Sequence, residues 1–295
     1  MNQNNKKKKT GLGYCIRLIL VLMELLAVTL FLWGNDVYSI SATTPEFRWE
    51  NYKTIAHALG GINDKTYLNS KESFLAAYQM GCRLFEVDLT KTSDNVWVCR
   101  HSWNQSLGQW EGEDKQVLSS EEFLSRPLFG KYTPMTFEDL LILLNDYPDA
   151  FVMLDSKQYS LRNYQKTLED YADYMELAQG AGVPDVMKQI IPEIYNQAMF
   201  AGTALLYNFP GYIYSLWQEY SIEDLTEIAA FCKDKNIKAA TVYYKYWSED
   251  VQKIFDKKGI RLYIYTVNDL KEAQYYMQKG AAGICSDYLQ DTDFE

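Results

Sequence analysis

Residues 54–101 decide the fold of this chain, and they read TIAHALGGINDKTYLNSKESFLAAYQMGCRLFEVDLTKTSDNVWVCRH. A short apolar run, a helix-like segment and a second apolar run follow one another, which is the pattern of a strand–helix–strand unit. The chain contains only two histidines, His57 and His101, and both lie close to the ends of apolar runs in this stretch. Because histidine exchanges protons near neutral pH, both are candidate acid/base groups.

Two carboxylates, Glu86 and Asp88, lie between the histidines on a run that is otherwise apolar. Side chains alternate along a strand, so both carboxylates point to the same face. Buried carboxylates repel each other and lose hydration unless a cation or a proton joins them. Such oxygen ligands suit Ca²⁺ or Mg²⁺ rather than zinc, so the pair predicts one divalent cation. Taken singly, each feature is more often structural, and only the combination indicates chemistry.

Strand-like and helix-like segments alternate along the rest of the chain. The strand candidates are Thr54–Ala58, Leu84–Thr90, Ala150–Asp155, Gln189–Ile194, Thr203–Asn208, Ala239–Tyr244, Arg261–Val267 and Gly283–Ser286. The helix candidates between them are Lys71–Met80, Thr136–Asp146, Leu161–Gln179, Tyr195–Phe200, Ser221–Lys235, Glu249–Lys257 and Leu270–Lys279. Eight such units predict an α/β fold, a (β/α)₈ TIM-like barrel. The alternative, a doubly wound open sheet, normally shows a glycine-rich phosphate turn after its first strand.

The same stretch resembles the glycerophosphodiester phosphodiesterases, within the larger group that includes the phosphatidylinositol-specific phospholipases C. The matching residues are His57, Gly60, Asn69-Ser70, Phe74, Gly81, Glu86-Val87-Asp88, Thr92, Asp94, Val98 and His101. With weaker matches downstream, the resemblance covers roughly residues 54–288. It implies a TIM-like barrel, a divalent metal, two catalytic histidines, and glycerophosphodiesters or related lipid head-group or wall-polymer phosphodiesters as substrates.

Further site residues are expected at the carboxyl ends of later strands, where barrel enzymes place their chemistry. Asp155-Ser156-Lys157 is similar to the family's Glu-x-Lys, so the resemblance implies Asp155 as a metal ligand, a position that Glu193 could supply or share. Lys157 suits a phosphate oxygen. The candidates for substrate or phosphate binding are therefore Lys157, Glu193, Tyr243, Tyr265 and Asn268. The last two belong to a Tyr-Thr-Val-Asn run that resembles the family's Trp-Thr-Val-Asn.

The resemblance also implies a reaction, in which the substrate's own glycerol hydroxyl attacks phosphorus and water opens the resulting cyclic phosphate. We expect His101 to act as the base and His57 as the acid. Three positions depart from the family pattern: Ala58 replaces an arginine, Leu68 a glutamate and Ser102 an aspartate. These changes concern the contacts with the substrate more than the chemistry.

Two other functions remain open on the sequence. A barrel that has lost catalysis could bind a phospholipid head group or a wall glycopolymer, and the altered positions motivate that alternative. A metal-assisted glycosidase would need two carboxylates on either side of a sugar, and Glu86 and Asp88 lie too close together for that role alone. Metal-dependent release of an alcohol from a glycerophosphodiester separates all three.

Composition limits the class of partner. The 295 residues carry a formal charge of −10 and are 47% hydrophobic, which provides for a large core and argues against nucleic-acid binding. The charge does not argue against an anionic phosphodiester, because a bound cation reverses the local field. Five cysteines without CxxC spacing predict buried free thiols, with a disulfide outside the cell as the alternative.

The N-terminal segment predicts a membrane anchor. A basic run at 6–9 precedes Ile16–Trp33, which is mostly apolar but contains Arg17 and Glu24. This run is near the lower limit for a membrane span. Because basic flanks stay in the cytoplasm, we expect a single-pass protein of the cell membrane with an extracellular catalytic domain. A cleaved signal peptide and a buried amphipathic helix are the alternatives.

The predicted order of units follows from this anchor. It is a cytoplasmic basic tail at 1–15, a transmembrane signal anchor at 16–33, a linker at 34–53 and a phosphodiesterase TIM-barrel domain at 54–295, which contains an insertion at about 102–135.

The predicted topology can be tested on intact cells. Protease added outside should release a fragment that begins near residues 35–50, because the linker would be the exposed connection between anchor and barrel. The measurement is the N-terminal sequence of the released fragment. A domain that stays protected until the cells are lysed would contradict the extracellular placement.

Overall fold

Eight parallel strands close into a barrel in the computed structural model, which describes residues 52–109, 116–157 and 164–294. The strands are β1 (Thr54–Ala56), β2 (Leu84–Lys91), β3 (Trp97–Cys99), β4 (Phe151–Ser156), β5 (Ile190–Ile194), β6 (Ile213–Leu216), β7 (Ala239–Tyr243), β8 (Arg261–Tyr265) and β9 (Gly283–Ser286). β3 pairs antiparallel with β2 and stands outside the barrel. β1 pairs with both β9 and β2, and this closure confirms the predicted barrel over the open sheet.

Helices follow the barrel strands in the described residues. They are α1 (Lys71–Gln79), α2 (Ser120–Ser125), α3 (Phe137–Asn145), α4 (Tyr164–Gly180), α5 (Gln197–Leu206), α6 (Ile222–Asp234), α7 (Glu249–Asp256) and α8 (Leu270–Gln278). Capping boxes begin α1, α2, α3 and α6, and each satisfies backbone N–H groups that the first helical turn leaves unpaired.

The barrel interior is built in two layers. One buried side chain from each barrel strand forms an apolar cluster: Ile55, Leu84, Met153, Ile191, Ile213, Ala239, Tyr263 and Cys285. Two residues further along the same strands stand His57, Glu86, Asp155, Glu193, Ser215, Thr241, Tyr265 and Asp287. Because side chains two apart share a face, every strand changes from apolar packing to a group with polar atoms as it approaches its carboxyl end.

The opposite face of the strands packs against the helices. The ring of Phe85 on β2 lies 4.7 Å from that of Phe74 on α1. The ring of Phe137 on α3 lies 5.0 Å from that of Tyr174 on α4. All four side chains are fully buried. Burial of a large apolar side chain contributes about 1.5–3 kcal/mol, so the Phe74–Phe85 contact helps to fix β2, the strand that carries Glu86, while the Phe137–Tyr174 contact joins two of the surrounding helices.

The predicted insertion at about 102–135 is folded in its described parts. It contains α2 and a small core of Leu107, Leu118, Phe123, Leu128 and Tyr132, against which Leu68 and Val98 also pack. Four cysteines of the described chain, Cys82, Cys99, Cys232 and Cys285, are buried free thiols, as predicted.

One predicted strand is wrong. Thr203–Asn208 was expected to be the fifth strand, but its first four residues belong to α5, and the strand at that place in the order is Ile213–Leu216. The run 203–207 is short and almost wholly apolar, so its periodicity does not separate a strand from a buried helix. The Asn196 side chain accepts a hydrogen bond from the Met199 N–H and begins the helix there.

The predicted N-terminal tail, anchor and most of the linker lie outside the described residues. Over residues 52–109, 116–157 and 164–294, no helix combines the length and the apolar character that crossing a membrane requires.

The boundary of α6 gives a test of the fold. The Ser221 hydroxyl accepts a hydrogen bond of 3.1 Å from the Asp224 N–H, and the Asp224 carboxylate accepts one of 3.3 Å from the Ser221 N–H. Ser221→Ala should lower the free energy of unfolding by about 0.5–2 kcal/mol, because it removes the cap. Urea denaturation measures this.

Thr226→Ala is the matched control on the same helix. Thr226 is exposed and its hydroxyl only donates back to the Ile222 carbonyl, so its removal should leave stability unchanged or slightly higher. Equal losses in both variants would contradict the assigned helix start.

Candidate active site

A cavity of about 470 Å³ opens at the carboxyl ends of the barrel strands. Its walls hold most of the predicted site residues. They are His57, Glu86, Asp88, His101, Asp155, Lys157, Glu193, Tyr243 and Tyr265. The remaining lining residues are Tyr67, Ser102, Met153, Tyr195, Ser215, Trp217, Thr241, Thr266 and Cys285.

Three buried carboxylates form a cluster in this cavity. One oxygen from each of Glu86, Asp88 and Asp155 lies within 4.8 Å of the others. Glu86 and Asp88 share a face of β2, and Asp88 is paired with Asp155 across the β2–β4 ladder. The parallel register therefore brings Asp155 to the carboxylate pair. Glu193 does not belong to this cluster.

Two contacts from the segment between β1 and α1 hold the β2 carboxylates in place. The Ala58 N–H donates a hydrogen bond of 2.7 Å to Glu86 Oε2. The Asn69 side chain donates one of 2.8 Å to Asp88 Oδ2 and accepts one of 3.1 Å from the Asp88 N–H. Both Ala58 and Asn69 have left-handed backbones, with φ of 48° and 44°. Such conformations persist where surrounding contacts fix them.

Lys157 is the cation of this cluster. Its ammonium lies 2.9 Å from Asp88 Oδ1 and also contacts Asp155 Oδ2. Tyr195 donates a hydrogen bond to the other oxygen of Asp155. Burial alone would lower the pKa of Lys157, but the carboxylates of Asp155, Asp88 and Glu86 outweigh burial and raise that pKa well above its usual range. Lys157 therefore stays charged.

The carboxylates respond to this environment differently. Burial raises the pKa of Glu86 well above its usual value, and the charges of Asp88 and Asp155 raise it further. Burial would also raise the pKa of Asp88, but Lys157, the two histidines and the Asn69 hydrogen bond together hold that pKa at about 2. One lysine therefore faces three carboxylates, and its ammonium directly contacts Asp88 and Asp155 but not Glu86.

The donor set fits a hard divalent cation. When all three carboxylates are ionised and Lys157 is charged, two negative charges remain uncompensated. Carboxylate oxygens are the ligands that Ca²⁺ and Mg²⁺ prefer, and a cation with two positive charges would balance the cluster. Glu86, Asp88 and Asp155 are the residues that could hold it.

His57 is oriented by a chain of hydrogen bonds. Its Nδ1 atom lies 2.7 Å from Asp287 Oδ1. The other oxygen of Asp287 accepts a hydrogen bond of 2.7 Å from the Asn268 side chain, and Asn268 Oδ1 accepts from the Ser286 hydroxyl and the Asp287 N–H. A carboxylate on Nδ1 leaves Nε2 as the nitrogen available to a substrate.

His101 has different surroundings. Its Nδ1 atom is buried and has no hydrogen-bond partner among the described residues. Burial lowers the pKa of His101, and the charges of Asp88 and Asp155 oppose that shift only in part. His101 is therefore neutral near pH 7. The ring of Tyr67 contacts both histidines, with centroids 4.7 Å from His57 and 5.1 Å from His101.

Aromatic side chains form the wall supplied by β5 to β8. They are Tyr195, Trp217, Tyr243 and Tyr265, one at or just beyond the end of each of these strands. Glu193 and Ser215 lie on the interior face of the same strands. Burial, together with the nearby charge of Asp155, raises the pKa of Glu193 to about 8, so this carboxyl is mostly protonated at pH 7.

The structure leaves one predicted substrate contact outside the cavity. Asn268 is exposed and binds Asp287, so it supports His57 rather than lining the cavity wall. Sequence reasoning missed Tyr67, Tyr195, Ser215, Trp217 and Thr241. Tyr195 could have been found, because it follows Glu193 by two positions and residues two apart along a strand share a face. Ser215 and Trp217 were missed because the strand that carries Ser215 and ends just before Trp217, Ile213–Leu216, was predicted at Thr203–Asn208 instead.

The fold is shared with solved phosphodiesterase structures. A glycerophosphodiester phosphodiesterase from Parabacteroides distasonis matches with a TM-score of 0.62 and 19% identity over 82% of this chain and 94% of that chain. One from Thermotoga maritima matches with a TM-score of 0.57 and 19% identity over 80% and 94%. An Oleispira antarctica phosphodiesterase, solved with the product sn-glycerol-3-phosphate, matches with a TM-score of 0.64 and 16% identity over 82% and 95%. At these identities the likeness shows the fold.

Sequence comparison supplies the family. No curated protein is similar enough in sequence to count as a match. The profile of the glycerophosphoryl diester phosphodiesterase family matches residues 61–291, which is well over half of the chain. The matched range contains every cavity-lining residue except His57. The chain belongs to the glycerophosphoryl diester phosphodiesterase family, a family of phosphoric diester hydrolases.

Proposed function

We propose that this chain hydrolyses glycerophosphodiesters, or related phosphodiesters of lipid head groups or wall polymers, with one divalent cation and two histidines. One observation carries the proposal: a single cavity contains both imidazoles of the chain and the three clustered carboxylates. Phosphodiester hydrolysis needs an acid, a base and compensation of phosphate charge. A barrel that only bound a head group would not need the two imidazoles in one cavity with the carboxylates.

Glu86, Asp88 and Asp155 would hold the cation, which we propose to be Ca²⁺ or Mg²⁺. When bound, it would draw electron density from a non-bridging phosphate oxygen and neutralise developing charge. The ammonium of Lys157 lies against two of these carboxylates, and we propose that it would contact a further phosphate oxygen as a point charge. It is the one Lys or Arg among the lining residues of the described cavity.

The different surroundings of the histidines support separate roles for them. His101 is buried, its pKa is lowered, and a neutral imidazole can accept a proton, so we assign it as the base. The Asp287 carboxylate would stabilise the protonated ring of His57, so we assign His57 as the acid. Both assignments agree with those expected from the sequence.

The proposed reaction has two steps. In the first, His101 takes the proton of a glycerol hydroxyl, that oxygen bonds to phosphorus, and the bond to the leaving alcohol breaks as His57 gives that alcohol its proton. In the second, His57 takes a proton from water, the water oxygen bonds to phosphorus, and the ring bond from phosphorus to the glycerol oxygen breaks as His101 returns its proton to that oxygen. The product would be a glycerol phosphate, the class of product bound in the Oleispira antarctica structure.

The aromatic wall would receive the organic part of the substrate. Tyr195, Trp217, Tyr243 and Tyr265 present flat apolar faces with hydroxyl or N–H groups at their edges. The mostly protonated Glu193 can donate as well as accept a hydrogen bond. Together these groups suit glycerol or another polyol.

We also propose that the domain works on the outer side of the cell membrane. The basic run at 6–9 and the apolar stretch at 16–33 support a retained anchor. A tether of this kind would hold the cavity near phosphodiesters of membrane lipids or the cell wall.

Substitution at the carboxylate cluster tests the metal. Glu86→Gln should lower divalent-cation affinity by more than the roughly 10–100-fold that loss of a supporting contact costs, and should abolish activity. The fold should survive, because Gln keeps the size of Glu86 and removes a carboxyl whose charged form burial and the neighbouring carboxylates disfavour. Isothermal titration with Ca²⁺ and Mg²⁺, thermal unfolding without metal, and activity with and without EDTA measure these effects.

Glu193→Gln is the control in the same cavity. Since Glu193 is mostly protonated at pH 7 and stands outside the cluster, its replacement should leave metal affinity within about threefold. Unchanged activity in Glu86→Gln would remove the metal assignment.

Substitution of the histidines tests the acid and base. His57→Ala and His101→Ala should each lower kcat by roughly 10²–10⁴-fold. The double variant should be little worse than either single one, because the two groups act on one reaction. Stopped assays of glycerophosphodiester turnover measure the three rates.

A substrate with a nitrophenol leaving group separates the two roles, because such a group needs no acid. It should restore activity to His57→Ala and leave His101→Ala inactive. The reverse pattern would exchange the roles, and full activity in both single variants would overturn the two-histidine mechanism.

A further inference from the structure

The geometry points to Tyr67 as a positioning residue, whose ring fixes the imidazole of His101 relative to that of His57. This inference rests on the proposed two-histidine reaction and adds to it a residue that does no chemistry itself. Tyr67 lies on the segment between β1 and α1, far in sequence from His101, and it lines the same cavity.

Tyr67 contacts both imidazoles edge-on. Its ring plane stands at 80° to that of His57, with the centroids 4.7 Å apart, and at 69° to that of His101, with the centroids 5.1 Å apart. Edge-to-face contacts at these distances contribute about 0.5–1.5 kcal/mol beyond the area that they bury. One rigid ring therefore sets the spacing between the proposed acid and the proposed base.

His101 depends on this contact more than His57 does. His57 is already oriented through Asp287, which is itself held by Asn268. The Nδ1 atom of His101 has no hydrogen-bond partner in the described chain, so no hydrogen bond at this nitrogen fixes the rotation of the ring. The T-shaped contact with the Tyr67 ring instead limits that rotation.

Tyr67 is itself held rigidly by its neighbours. Leu68 is fully buried and packs into the core that supports the insertion. Asn69 is fully buried and binds both the side chain and the N–H of Asp88. The backbone of Tyr67 is left-handed, with φ of 56°. With both following residues anchored, the ring of Tyr67 has little freedom to leave the two imidazoles.

The test removes the ring and then restores it. Tyr67→Leu should lower kcat for a glycerophosphodiester roughly 10–100-fold, because a misplaced base loses its alignment, while KM changes little. Tyr67→Phe keeps the ring and should stay within about threefold of the wild-type kcat. Should Tyr67→Leu fail to fold, Tyr67→Asn removes the ring with a residue that tolerates a left-handed backbone.

A second readout needs no turnover. The chain has only two histidines, so histidine-selective labelling gives one set of ring signals for each imidazole in an NMR spectrum. Loss of the Tyr67 ring should shift and broaden the signals of His101 more than those of His57, and Tyr67→Phe should preserve both sets. His101→Ala assigns the signals.

The outcomes are distinct. Wild-type kcat in the ring-less variants, a loss confined to KM, or unmoved His101 signals would each overturn the positioning role. An equal loss in Tyr67→Phe would also overturn it, because the hydroxyl and not the ring would then matter. If the wild-type protein releases no alcohol from any phosphodiester but the His101 signals still depend on the ring, the proposed function fails and the contact stands.

Discussion

The charge of three buried carboxylates is the constraint on which this site depends. Side-chain alternation along β2 points Glu86 and Asp88 to the same face, and the β2–β4 register places Asp155 beside Asp88, so the three carboxylates meet. Their repulsion must be compensated, and the chain does so in two ways. Lys157 supplies one positive charge, and hydrogen bonds from Ala58 and Asn69 hold the oxygens. The remaining charge is what a divalent cation would balance.

The fold gives the two histidines unequal surroundings. His57 follows the first barrel strand and reaches Asp287, which follows the last one, so closure of the barrel creates that pair. His101 follows β3 directly before the insertion, and burial favours its neutral form. The acid and base roles proposed for these two residues require such a difference in surroundings, because an acid and a base of one residue type must hold opposite protonation states at one pH.

Much of the fold could be predicted, because local pattern and packing agree over most of the chain. Capping signals such as Ser221 with Asp224 mark real helix starts, and seven of the eight barrel strands overlap the predicted segments. The failure at Thr203–Asn208 has a physical cause. A short apolar run fits a buried strand and a buried helix equally well, and the surrounding sheet decides between them.

Local properties of the sequence are enough to predict the barrel, the family resemblance and the residues proposed for the chemistry, because alternation along β2 and the positions of the two histidines can be read without the fold. How those residues are held depends on the tertiary structure. The bond from His57 to Asp287, the bridge from Lys157 and the ring of Tyr67 against both imidazoles join residues on different strands and loops. Such contacts depend on how the barrel closes and on left-handed backbone positions, and neither leaves a periodic signal in the sequence.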